Sequence, residues 1–223
     1  MRLFLLFLLL AISSGFVFSD AFAETTPNGN LNSEATCTDL VAGTWSNENT
    51  CTITNEMDIN SGQTLTIDSG YTLVVNNSAR NDGSGSTGIN NNGGTITNNG
   101  LITISSTNTS STGIMNNNGG TITNNGLITI SNTGSSAGIA INSGIMNNNG
   151  LMTISNTGGA GIVINSGINN NSGGVITVSN TGTWNDGSGS TGIAINNGGT
   201  ITNNGLINND GTTNNLGTIN NYC

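Results

Sequence analysis

The chain has 223 residues and a formal net charge of −9, with two Lys or Arg residues and no His. Phosphate binding needs several Lys or Arg side chains, so a nucleic-acid interface is excluded, as is histidine-dependent acid–base or triad chemistry. Hydrophobic residues reach 33% but aromatic ones only 4%, so any buried layer is built from Ile, Leu and Val and is thin.

The first segment, MRLFLLFLLLAISSGFVFSDAFA, has a basic Arg2, an apolar run from Leu3 to Ala11 and an A-x-A-type cleavage site at Ala21-Phe22-Ala23. This predicts a signal peptide over 1–23 and a secreted chain beginning at Glu24, located outside the cell or on its surface. The apolar run is too short to span a bilayer, and no second one follows, so no membrane insertion is expected after cleavage.

Residues 24–51 read as a leader and a cap. Within them CTDLVAGTWSNENTC carries Cys37 and Cys51. Secretion permits a disulfide between the two, and closing a loop of about 15 residues contributes on the order of 3 kcal/mol in the chain-entropy model. Trp45 is expected to shield the first apolar layer.

Residues 52–223 are repetitive. NNNGGTITNNGLITIS occurs at 90–105 and again, unchanged, at 116–131. Aligned on the glycines, the chain divides into six coils, 57–87, 88–112, 113–137, 138–160, 161–191 and one from 192 onward, each of three short segments. Apolar residues alternate within the segments: Ile102 and Ile104, Ile128 and Ile130, Ile139 and Ile141, Ile162 and Ile164, Ile193 and Ile195. Period two is the signature of strands. Each segment ends in Gly or Asn-Gly, which supply the positive φ of a sharp corner.

Strands this short cannot bury an apolar face alone. Stacked about 4.8 Å apart, they place each Ile on its equivalent in the next coil. Ile96, Ile122 and Ile201 join the predicted core. Asn98, Asn124 and Asn203 follow them by two positions, on the same inward face, and are expected to form an asparagine ladder that satisfies their buried amides. The predicted fold is all-β, a parallel β-helix of about six three-strand coils with a disulfide-closed N-terminal cap.

Coil length, three strands per coil and inward Ile and Asn make residues 52–221 similar to the parallel β-helices of secreted prokaryotic proteins, the pectin-lyase-like and autotransporter-passenger group. The resemblance implies a right-handed solenoid. It also raises polysaccharide cleavage, since many of that group are lyases or hydrolases. Glycoside hydrolysis needs two facing carboxylates, and lyases of this fold use a basic residue beside calcium-binding acids. After Asp82 the repeats hold two acids, Asp186 and Asp210, and no Lys or Arg. The earlier Glu56, Asp58 and Asp68 read as a solvated, charge-bearing edge. No enzymatic activity, cofactor or metal is therefore expected. The twice-written NDGSGST, at 81–87 and 185–191, has too few carboxylates for a calcium cage; it reads as a flexible excursion, with Trp184 beside the second copy.

A structural or adhesive role remains, at the cell surface or in an extracellular matrix, with self-association or surface glycans as partners. Cys223, left over by the Cys37–Cys51 pairing, is the candidate for an intermolecular disulfide. The last coil carries no cap of distinct composition, which points to end-to-end stacking into filaments. Functional amyloid is a second alternative, on Asn-rich, low-charge strands. Carbohydrate or ice binding is a third: Thr95-Ile96-Thr97, Thr121-Ile122-Thr123 and Thr200-Ile201-Thr202 form outward T-x-T rungs, interrupted by Ile145-Met146-Asn147 and INNNSGG. Sequons at Asn76, Asn108 and Asn170 allow for glycosylation.

Overall fold

In the computed structural model of the chain, the described residues are 27–46, 48–77, 87–106, 112–132, 135–156, 158–180 and 191–222. The N-terminal part contains β1 (Gly29–Leu31), the helix α1 (Glu34–Val41), β2 (Thr44–Ser46) and β3 (Thr50–Ile53). The coils follow. They are β4 (Met57–Asn60), β5 (Thr64–Ile67) and β6 (Thr72–Asn77), then β7 (Thr87–Asn92), β8 (Thr95–Asn98) and β9 (Leu101–Ser106). Next come β10 (Thr112–Asn117), β11 (Gly120–Asn124) and β12 (Leu127–Asn132), and β13 (Ile139–Ile141), β14 (Gly144–Asn148) and β15 (Leu151–Asn156). The fifth coil has β16 (Ile162–Ile164), β17 (Gly167–Asn170) and β18 (Val175–Asn180), and the sixth β19 (Thr191–Ile195), β20 (Thr200–Asn203) and β21 (Leu206–Asn209). Two further strands, β22 (Thr212–Asn215) and β23 (Thr218–Asn221), begin a seventh turn.

The strands form three sheets, each taking one strand from every coil. Sheet A runs β4-β7-β10-β13-β16-β19-β22, sheet B β1-β5-β8-β11-β14-β17-β20-β23, and sheet C β2-β3-β6-β9-β12-β15-β18-β21. All pairings are parallel except β2 with β3, which is antiparallel. This is the parallel β-solenoid that the repeat predicts. Eight stacked strands give a rod about 34 Å long.

All thirteen predicted core isoleucines are at most 3% exposed. They belong to inward columns that run through the stack in register. One column of sheet C reads Leu73, Ile102, Ile128, Met152, Ile176. Each fully buried side chain of this kind stabilises the fold by roughly 1.5–3 kcal/mol, and the column shares that burial between coils, so a single coil has no core of its own.

The glycines are set by the closeness of the stack. A Cβ placed on Gly113 would lie 2.6 Å from the carbonyl oxygen of Gly138 on the next rung, and one on Gly88 would lie 2.7 Å from that of Gly113. Repeated Gly at this corner lets one backbone rest directly on another.

The N-terminal end is closed by α1, an element outside the repeat pattern. Ser33 caps the helix: its Oγ accepts from Thr36 N at 3.3 Å, and Thr36 Oγ1 accepts from Ser33 N at 3.0 Å, a reciprocal capping box. Cys37 and Val41 on the inner face are buried with Leu31. Cys37 is bonded to Cys51, with a Cα–Cα separation of 5.5 Å. Gly43 lies against this bridge, since a Cβ there would sit 2.5 Å from Cys51 Sγ and 2.8 Å from Cys37 Sγ. Trp45 packs on the core beside Tyr71, ring centroids 6.1 Å apart.

At the other end the inward columns turn polar. Val178 is followed by Asn209, Ile193 by Thr213 and Ile195 by Asn215. The segment LINNDGTTNN holds two strands, β21 and β22, divided at Asp210-Gly211. Ile193, Ile201, Ile207 and Ile219 line an opening of about 370 Å³ here. Cys223 lies outside the described residues.

Candidate interaction faces

The inner asparagines form the predicted ladder, and a longer one than predicted. Asn98 Nδ2 donates to Asn124 Oδ1, Asn124 to Asn148, Asn148 to Asn170 and Asn170 to Asn203, each at 2.8 Å, and Asn203 donates to Asn221 at 2.7 Å. Asn148 and Asn170 obey the same offset from the apolar residues Met146 and Ile168, so the signal for them was present in the sequence. A second inner pair, Asn91 and Asn116, is joined at 2.8 Å, with Ile59 below it and Ile141 above it in the same column.

The inner ladder has a fixed sense. Nδ2 of Asn98, Asn124, Asn148 and Asn170 also donates to the backbone carbonyls of Leu127, Leu151, Val175 and Leu206. A carbonyl oxygen only accepts, so each amide must turn its nitrogen toward the C-terminal rung. The first rung therefore has no donor beneath it: Oδ1 of Asn98, like that of Asn91, is buried without a partner among the described residues.

Outside the rod the sense is reversed. Asn196 donates to Asn165 at 2.6 Å, Asn165 to Asn142 at 2.8 Å, Asn142 to Asn117 at 2.9 Å and Asn117 to Asn90 at 3.2 Å. Asn90 then donates to the Asp58 carboxylate at 2.6 Å. A second outer ladder, Asn171 to Asn149 to Asn125 to Asn99, runs the same way. Asp58 is thus the terminal acceptor of an amide chain rather than a free edge charge. Asp68 accepts from Asn32 Nδ2 at 3.0 Å, and Asp210 from Ser179 Oγ at 3.1 Å. Each of these three acids is held by its own neighbour, and no group of three or more His, Cys, Asp or Glu side chains suited to a metal occurs among the described residues.

The outward faces differ. Sheet A shows Met115, Ala140, Val163 and Ala194 in one register column, beside a groove of about 580 Å³ lined by Ala160, Val163, Thr191 and Asn214 among others. Sheet B carries the T-x-T rungs. Thr64 and Thr66 add one below Thr95 and Thr97, and Thr121 and Thr123 follow. The next two rungs present Ile145 and Asn147, then Gly167 and Asn169, so the array is interrupted where the sequence predicts.

Sheet C carries the regular face. Leu101, Leu127, Leu151 and Val175 form one outward column, Thr103, Thr129, Thr153 and Thr177 the second, and Ser105, Ser131, Ser155 and Ser179 the third. The four threonine hydroxyls make no hydrogen bond among the described residues, and no strand of this sheet contains a charged residue. This face carries no T-x-T signal in the sequence, because its threonines stand singly between inward apolar residues.

Of the sequons, Asn76 is exposed at the end of β6 and Asn108 lies outside the described residues. Asn170 is fully buried in the inner ladder, so the folded chain has no room for a sugar there, which corrects that expectation. Trp184 and most of both NDGSGST stretches also lie outside the described residues. No helix is long and apolar enough to cross a membrane among the residues described. No family model, curated protein or solved structure matches the chain.

Proposed function

We propose that this chain is a secreted, non-catalytic structural or adhesive rod of the cell surface or extracellular matrix. The observation that carries the reading is the unbroken rung-to-rung bonding. Inner and outer amide ladders join successive coils along the same axis as the backbone ladders, giving a stiff polar rod whose sides are free for contact. The likeness in coil design to autotransporter passengers supports an exported role, as does the Cys37–Cys51 bridge, since disulfides persist in oxidising compartments. Self-association would use the exposed edges of β21, β22 and β23. Because α1 covers the opposite end, a joint between two such edges, with strands antiparallel, is the arrangement that leaves both caps in place. Electron microscopy of the purified chain with and without reductant tests this. Paired rods of doubled length support this joint, with loss on reduction implicating Cys223; fibres would mean that the α1 end also joins, and single short rods in both conditions count against self-association.

A second reading is favoured by the outward face of sheet C. Its threonine column repeats at about 4.8 Å along the axis, with leucine and serine columns about 6.7 Å to either side. Such a regular grid, with unspent threonine hydroxyls and methyls along its centre, suits an equally periodic, uncharged surface, ice or a crystalline polysaccharide. Thr129→Tyr with Thr153→Tyr would break the grid without touching the core. Loss of partition into growing ice, or of retention on insoluble polysaccharide, in this variant but not in Thr97→Tyr on sheet B, would assign the face. If the unaltered chain binds neither surface, this reading fails.

A further inference from the structure

We infer that Asn197, at the corner between β19 and β20, is a site of spontaneous backbone-assisted deamidation, and that stacking protects the other Asn-Gly pairs of the chain. Eight such pairs occur, with Asn at 28, 92, 99, 118, 125, 149, 197 and 204. In this reaction the backbone nitrogen of the glycine, after losing its proton to solvent, attacks the asparagine Cγ. The Cγ–Nδ2 bond breaks and ammonia leaves, and water then opens the cyclic imide to aspartate or isoaspartate. Water enters and ammonia departs, so no oxidant, reductant or enzyme is required.

At seven pairs one or both reactants are held by a hydrogen bond. Gly126 N donates to Asn98 O and Gly150 N to Asn124 O, both at 3.0 Å, while the amides of Asn125 and Asn149 are held in the outer ladder. Gly93 N donates to Asn117 O at 3.1 Å, and Gly119 N is bonded to Ser143 O. Gly205 N is bonded to Asn203 Oδ1 at 3.2 Å. Asn28 Oδ1 accepts from Thr64 N at 3.1 Å. Asn99 Oδ1 accepts from Asn125 Nδ2 at 2.8 Å.

At Asn197-Gly198 neither reactant is held. Among the described residues the Asn197 amide and the Gly198 N–H have no hydrogen-bond partner, and both residues are exposed. Gly198 stands at φ +92°, and a Cβ there would find nothing closer than 3.9 Å. The turn therefore has both the backbone freedom and the space that imide closure needs. Both products carry a new carboxylate, and isoaspartate also inserts a methylene into the backbone, at a corner beside the Asn196–Asn165 hydrogen bond.

The test is peptide mapping by mass spectrometry after incubation of the folded, disulfide-bonded chain in mildly alkaline buffer, with the reduced, urea-unfolded chain as reference. In the folded chain Asn197 should convert about 10-fold faster or more than Asn125 and Asn149, because those must wait for local opening. In the unfolded chain all eight pairs should convert at similar rates. The variant Asn125→Ala removes the bond that holds Asn99, and should make Asn99 the second reactive site. Comparable conversion of Asn125, Asn149 and Asn197 in the folded chain would overturn the proposal, as would an inert Asn197 that reacts freely once unfolded.

Discussion

Asn90 donates its amide to the Asp58 carboxylate at 2.6 Å, and the hydrogen bonds of four more asparagines run down to that one acceptor. A carboxylate accepts only, so Asp58 sets the direction in which every amide above it turns. Replacing it with Ala should leave Asn90 without its acceptor and cost about 1 kcal/mol, whereas Asp58→Asn, which keeps an acceptor oxygen, should cost less. Urea midpoints of the two variants at equal slope would check the order.

The inner ladder should be far less tolerant. Asn148→Ala removes the acceptor of Asn124 and the donor of Asn170 in a fully buried column. A loss of about 2–4 kcal/mol is expected. Asn171→Ala, at the end of an outer ladder, should cost under about 1 kcal/mol. Equal losses would mean that the ladder contributes no more inside than outside.

The unpartnered Oδ1 of Asn98 faces Ile67 on the rung below. Ile67→Asn should add a missing first rung. The loss of a buried Ile would be offset in part by a new bond to Asn98, so the variant should be about 1–2 kcal/mol milder than Ile104→Asn, which has no ladder to join. Thermal unfolding of the pair decides the matter, and an equal or larger loss for Ile67→Asn would count against the assigned sense of the ladder.

Gly43→Ala should interfere with the cap. A Cβ within 2.8 Å of both sulfurs of the bridge forces the backbone at 43 away from them. A larger fraction of free thiol by alkylation and mass spectrometry is expected, with destabilisation of at most the roughly 3 kcal/mol of the bridge plus local strain.

Most of the architecture could be read from the letters, because period-two alternation and in-register repetition are two views of the same stacked strands. Ile96 and Asn98 show both at once. The offset rule that places Asn98, Asn124 and Asn203 inward applies equally to Asn148, Asn170, Asn91 and Asn116, but runs such as INNNG do not show which Asn turns inward until the apolar anchor is fixed. The helix α1 is one capped span of eight residues, too short for a clear period and stabilised mainly by Cys37 and Val41 against the first rung. The sense of the ladders could not be read at all, since it depends on which carbonyl lies above each amide. The sheet C face was hidden for a different reason: a surface pattern of single residues spaced a whole coil apart becomes visible only when the coils are laid in register.

Gly138 resting on Gly113, and Met152 on Ile128, show that a coil in the middle of the rod hands upward nearly the footprint that it receives from below. A duplicated coil inserted between two others would meet two matching junctions and bring its own ladder rung with it. The length of the rod is thus open to change by copying whole coils in frame, in steps of about 4.8 Å each.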